Sequence, residues 1–139
     1  MEYITGLHAL NIPCQLNTSG DWHVGALDWT KVHTKESNKS IFKDFGIEEN
    51  KKIPQHTKTY AVANHLRAIL DLMDEGHLKF LKGFKNDFFG TDQYNQIFFE
   101  KVYLLKIKEI WEDIYQLMLK EFGIDWYAFC LVKGEKYGK

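Results

Sequence analysis

At 139 residues, with 45% hydrophobic and 15% aromatic side chains, the chain has the apolar content of one folded domain and not the polar, aromatic-poor composition of disorder. Eighteen Lys and Arg against nineteen Asp and Glu leave a formal net charge of −1, which argues against a nucleic-acid or membrane binder working through bulk basic charge. Cys14 and Cys130 are too few and too far apart for a disulfide framework. The expectation is therefore a single domain over residues 1–139 in the cytoplasm, with no secretory leader and no run of ~18 apolar residues to span a membrane.

In chain order, residues 1–52 read as an irregular zone with some β-structure. Apolar runs from Tyr3 to Leu10 and from Val24 to Trp29 are separated by the turn-forming cluster Asn17-Thr18-Ser19-Gly20-Asp21. Two short strands, or one strand and loops packed by Trp22 and Trp29, fit this pattern, because Gly6, Pro13 and Gly20 oppose a continuous helix. Lys31, Lys35, Lys39 and Lys43 recur at four-residue steps, so a helix here would line their ammonium groups along one face. Such a face suits either plain solvation or an anionic partner.

Residues 53–123 read as helical. Pro54 suits a first helical turn, and Val62, Leu66, Ile69, Leu70 and Met73 form an amphipathic stripe that Gly76 can end. Asp71, Asp74 and Glu75 crowd that C-terminus against the helix dipole, which calls for a basic neighbour or solvent. A shorter helix follows, with Leu78, Leu81, Phe84 and Phe88 on one face, ending by Gly90. Residues 91–123 look like the longest element, capped by Thr91 or Asp92 and ended by Gly123. A helix of about thirty residues would span about 45 Å, long for this size, so a bend or break near the middle stays open as the alternative, although no Pro or Gly marks one. Its apolar stripe is wide, taking in Phe99, Tyr103 and Tyr115 off the main line, which suggests burial on two sides.

Residues 124–132 are aromatic and β-prone and predict a terminal strand pairing with the N-terminal zone, with continued helix as the alternative; a loose tail follows to residue 139. The fold class expected is α+β, dominated by about three main helices, with a small N-terminal β or loop region.

Motifs for chemistry are sparse. His8, Asp21 and His23 could assemble a site in which a carboxylate orients an imidazole, with Cys14 as a nucleophile and Arg67 nearby. The same residues are explained by a turn capped by Asp21 and a core plugged by Trp22. The spacing fits no zinc pattern, phosphate-loop glycines are missing, and neither metal nor cofactor is expected. Arg67, the only arginine, could pair with Asp71 at i+4 or, with Lys31, Lys35, Lys39 and Lys43, meet an anionic partner or nucleic acid. Aromatic density over residues 94–129 nominates Phe99, Tyr103, Trp111 and Tyr115 as anchors for a protein partner.

The runs Tyr3-Ile4-Thr5-Gly6-Leu7-His8-Ala9-Leu10-Asn11-Ile12-Pro13-Cys14 and Gly20-Asp21-Trp22-His23 resemble the opening of a family of small bacterial proteins of unassigned chemistry. Phe42 to Ile47, Ile53-Pro54 with His56, and Val62 to Asp71 are similar to later stretches of that family. Its members are often encoded beside a nucleotidyltransferase-fold toxin of the AbiEii type. The resemblance implies an antitoxin-like or accessory protein of a toxin–antitoxin or phage-defence module, and it supplies no catalytic residue. Two other functions stay open from the residues: an enzyme using His8, Asp21, His23 and Arg67, and a nucleic-acid-binding module using Lys31–Lys43.

Overall fold

Tyr3 and Ile4 are neighbours in sequence and both are buried. Successive strand residues point to opposite faces, so the strand that carries them must be covered on both sides. That strand, β1 (Glu2–Ile4), lies inside a four-stranded sheet in the computed structural model, which describes residues 1–16 and 27–134. The described chain forms two compact units, Met1–Glu75 and Gly76–Lys139.

In the first unit, β1 leads into a short helix, α1 (Gly6–Leu10), followed by the strands β2 (Thr34–Glu36), β3 (Ile47–Lys52) and β4 (Thr59–Ala63). The sheet order is β2-β1-β4-β3; β1 pairs parallel to β4, and each edge strand is antiparallel to its neighbour. The edge strand β3 carries Glu48, Glu49, Lys51 and Lys52 and a register shift between Glu48 and Lys51, features that discourage pairing with a foreign strand.

Helix α2 (His65–Asp74) follows β4 directly, with every residue from His65 to Met73 buried. The helix starts at His65 and not near Pro54, because Thr59–Ala63 complete the sheet and Asn64 supplies the cap: its side chain accepts from the Arg67 backbone N–H at 2.9 Å. Gly76, with φ +82°, ends the helix as expected. The crowded acids there have a basic neighbourhood: Lys35 reaches Glu75 at 3.3 Å and Asp74 at 3.7 Å, and His33 reaches Glu75 at 3.0 Å. Residues 31–43 are not a helix but strand, a 3₁₀ turn (Ser37–Lys39) and further turns, so their lysines share no helical face.

The second unit is helical among its described residues. A 3₁₀ turn (Leu78–Leu81) and a π-helical turn (Lys85–Phe89) lead to α3 (Asn95–Tyr103), continued by a 3₁₀ turn (Leu104–Ile107), then α4 (Trp111–Phe122) and α5 (Ile124–Val132). The single long helix expected over 91–123 is broken at Lys108, whose extended backbone (ψ 149°) separates α3 from α4. Packing supplies the reason. On one straight helix Phe99 and Phe122 would lie about 34 Å apart. With the break their rings meet edge to face at 4.9 Å, in a core shared with Phe84, Phe89, Phe98 and Trp126. The wide apolar stripe thus folds back on itself.

The strand expected over 124–132 is also corrected, because it is α5. Gly123, at φ +59°, turns the chain, and Trp126, Phe129 and Cys130 then fall at helical spacing and bury together. Burial at a 3.6-residue period outweighs the β-preference of the individual residues. The α+β class stands, with a small mixed sheet, four main helices and the short α1 among the described residues.

This packing places Phe99 (3% exposed) in the core of the second unit. Phe99→Ala is expected to lower stability in urea by about 3–5 kcal/mol, as large-to-small changes in aromatic cores do. Ile107→Ser, at a residue 82% exposed, should change it by under about 0.5 kcal/mol. Equal effects from the two would contradict this core.

Candidate functional site

A buried polar assembly lies inside the first unit, around Arg67. Its i+4 spacing from Asp71 brings the guanidinium Nε to the carboxylate at 3.1 Å, and both side chains are 0% exposed. Nη1 donates to the Lys43 and Phe45 carbonyls, each at 2.6 Å, and Nη2 donates to the Tyr3 hydroxyl at 2.8 Å. That hydroxyl donates to Asp71 at 2.6 Å, and the Thr5 hydroxyl does so at 2.7 Å. Burial, with the adjacent Asp71 carboxylate, raises the Tyr3 pKa well above its ordinary value.

The hub forces its surroundings. A Cβ on Gly46 would lie 2.8 Å from both Arg67 Cβ and Asn64 Oδ1, and Gly46 also sits at φ +74°. Its carbonyl accepts from the Asn64 N–H at 2.6 Å, which joins the 43–46 turn to the start of α2. Arg67 is therefore engaged inside the fold and presents nothing to an anionic partner.

Three histidines of this unit hold backbone. His65 Nε2 donates to the Ile12 carbonyl (2.8 Å), His8 Nε2 to that of Asp28 (3.0 Å) and His56 Nε2 to that of Trp29 (2.6 Å). His8 Nδ1 accepts from the His33 N–H at 3.3 Å, which puts the His8 ring proton on Nε2, and the ring stands edge-on to Trp29 at 5.0 Å. Asp21 and His23, the proposed companions of His8, lie outside the described residues, as do Trp22 and the turn at 17–21. Cys14 is half-buried and Cys130 buried, and neither is in a disulfide. Among the described residues no group of three His, Cys, Asp or Glu is placed to hold a metal ion.

The lysine series is dispersed. Lys35 is committed to Asp74 and Glu75, the Lys43 ammonium donates to the Asn38 carbonyl at 3.0 Å, and Lys31 and Lys39 are exposed. Burial would raise the Glu75 pKa, but the bond and charge of His33 and the charge of Lys35 outweigh it and hold the carboxyl below its usual range.

In the second unit Tyr103, Trp111 and Tyr115 are half-buried. Trp111 is edge-on to Tyr103 at 5.8 Å and to Tyr115 at 6.3 Å. The residues that sequence reasoning missed are on α5, which carries one charge, Asp125, in nine residues. Its inner side is buried, while Ile124 is 73%, Tyr127 44% and Val132 87% exposed. Beside it runs an open groove of about 690 Å³ between α3 and α5, floored by Phe99, Ala128, Phe129 and Val132. Asp92, Glu100, Asp125 and Lys133 stand around it. The signal that could have found this surface was the run Ile-Asp-Trp-Tyr-Ala-Phe-Cys-Leu-Val itself: read as a helix, it is apolar on every side.

No model of a known protein family matches the chain, and no curated protein or solved structure shows significant similarity to it. Among the described residues no helix is long and apolar enough to cross a membrane. The buried hub itself is built by Tyr3, Thr5, Phe45, Gly46, Asn64, Arg67 and Asp71.

Two outcomes follow for the first unit. Arg67→Met strands the Asp71 carboxylate, and a loss of about 3–5 kcal/mol in urea unfolding is expected, with Arg67→Met plus Asp71→Leu recovering much of it. A loss below about 1 kcal/mol for the single variant would refute the hub. The Glu75 contacts stabilise fully above the ordinary glutamate pKa of about 4.3 and are lost as pH falls below it, because the folded pKa is the lower one. In thermal melts Glu75→Gln should therefore flatten the loss of stability below about pH 4.3. Parallel acid limbs for the two proteins would show that Glu75 contributes no such term.

Proposed function

We propose that the chain is a protein-binding component, antitoxin-like or accessory, of a bacterial toxin–antitoxin or phage-defence module whose other member has a nucleotidyltransferase fold. It acts by stoichiometric association and not by turnover. The observation that carries the binding role is α5. A helix that buries Trp126, Phe129 and Cys130 on one side and still exposes Ile124, Tyr127 and Val132 presents apolar surface that association would remove from water. At about 25 cal/mol per Å² of apolar area, a few such side chains contribute several kcal/mol when covered. The class of the partner rests on the resemblance of the residues quoted above. The hub of the first unit supports the same reading in a different way: its polar groups satisfy one another, so the resembling residues maintain a fold.

The test is co-purification from the native host with the tagged chain, followed by mass spectrometry of whatever is retained. The expected result is one nucleotidyltransferase-fold protein in stoichiometric amount, retained at least about tenfold less by Ile124→Asp or Tyr127→Asp, which remove an anchor of the kind that dominates interfaces. Recovery of the chain alone, or equal retention by folded variants, would overturn the proposal.

A further inference from the structure

We infer that the groove between α3 and α5 receives a basic amphipathic segment of the partner, its apolar side chains on Phe99, Phe129 and Val132 and its cations against Glu100 and Asp125. The inference rests on the partner-binding reading and adds the chemistry of what binds.

Three observations on the groove carry it. Its floor is apolar and partly open: Val132 is largely exposed, and Ala128 is exposed one turn before it on the same face of α5. Residues 125, 128, 129 and 132 face the groove at the spacing of one helical side, as residues 95, 96, 99 and 100 of α3 do from the opposite wall, with Asp92 just ahead of that helix. Two helical walls of nine residues, about 13 Å each, match the i, i+3, i+4 anchors of a short helix laid between them.

The charge around this floor is unequal: among the described residues three carboxylates face two ammonium groups, Lys133 and, against Asp92, Lys85, which leaves one carboxylate in excess. Asp92 is answered by Lys85 at 3.2 Å, and Glu100 by Lys133 at 2.8 Å. The Lys133 hydrogen bond holds the Glu100 carboxyl below its usual range. Both are exposed pairs, which hold their partners weakly and exchange them at little cost.

The position of Lys133 is the third observation. Its ammonium lies 5.5 Å from the centre of the Phe129 ring while bonding Glu100, so a cation already rests on an aromatic floor beside a carboxylate. A partner Lys or Arg reproduces that geometry by displacing Lys133, and Asp125 offers a second carboxylate across the groove. An acidic segment would meet repulsion from all three carboxylates, so the groove also selects by charge.

The probe is a fluorescein-labelled peptide of about twelve residues, the length that spans such walls, made of Leu and Lys at amphipathic helical spacing. A second peptide carries Glu in place of every Lys. Anisotropy titrations at moderate salt should show saturable binding of the Leu/Lys peptide and at least about tenfold weaker binding of the Leu/Glu peptide. Glu100→Gln with Asp125→Asn should weaken the Leu/Lys peptide at least about fivefold, whereas Glu109→Gln with Glu112→Gln, the same charge change outside the groove, should not. Lys133→Ala should tighten it, a change that loss of folding cannot mimic, and Val132→Asp should abolish binding.

Equal binding of the two peptides, equal effects of the two charge variants, or weaker binding by Lys133→Ala would each overturn the inference. So would a dimer of the chain alone, seen in sedimentation and broken by Val132→Asp, because it would assign the face to self-association. If the native partner stays bound to the Glu100→Gln, Asp125→Asn protein while the peptides fail, the groove inference falls and the partner reading stands. If the peptides bind as expected and nothing co-purifies from the host, the partner reading falls alone.

Discussion

The Arg67–Asp71 pair is the constraint that the first unit is built around. A guanidinium and a carboxylate removed from water cost several kcal/mol each unless nearly every donor and acceptor is matched. Here the matching partners come from β1, from the turn at 43–45 and from α2 itself. Meeting those distances fixes where the three elements converge. It also explains why Gly46 has no side chain and why Tyr3, in the centre of a strand, carries a hydroxyl where a phenyl ring would pack as well. A pair of this kind contributes less net stability than its contacts suggest, and contributes more to the position of its neighbours.

The second unit is organised by packing instead of polar matching. Its rings form a connected set from Phe84 through Phe98, Phe122 and Phe99 to Trp126 and Phe129, and one polar side chain clamps its edge: Glu121 accepts from the Gly83 and Lys85 backbone N–H groups at 2.8 and 3.0 Å. Interlocked aromatics tolerate little change in volume. Among the described residues the exposed side of α5 has no such neighbours, and that contrast within one helix makes the surface a functional candidate.

Much of this was legible in the residues. The stripe Leu66, Ile69, Leu70 and Met73, the stop at Gly76, the i+4 partnership of Arg67 with Asp71 and the need for a cation near Glu75 all followed from helical periodicity and the dipole. These are local relations, set by neighbours within a turn or two. The length of residues 91–123 pointed to a bend or break, but its place at Lys108 was not legible, because no Pro or Gly marks it and the reason for it is the approach of Phe99 to Phe122. The wide apolar stripe has the same cause: much of it was satisfied by the second unit's own chain, and the exposed apolar residues Ile124, Tyr127 and Val132 lie on a segment whose composition favours a strand.

By itself the sequence determined the α+β class, the apolar stripe and the end of α2, the aromatic core composition and the near-neutral charge, since these depend on composition and on spacing along one element. Only the tertiary structure decided that Arg67 is enclosed, that residues 124–132 are helix and that Glu100, Phe129 and Lys133 share one groove. Each depends on residues distant in sequence coming within a few ångströms, and the energy of burying them together exceeds the preference of any one residue for its local conformation.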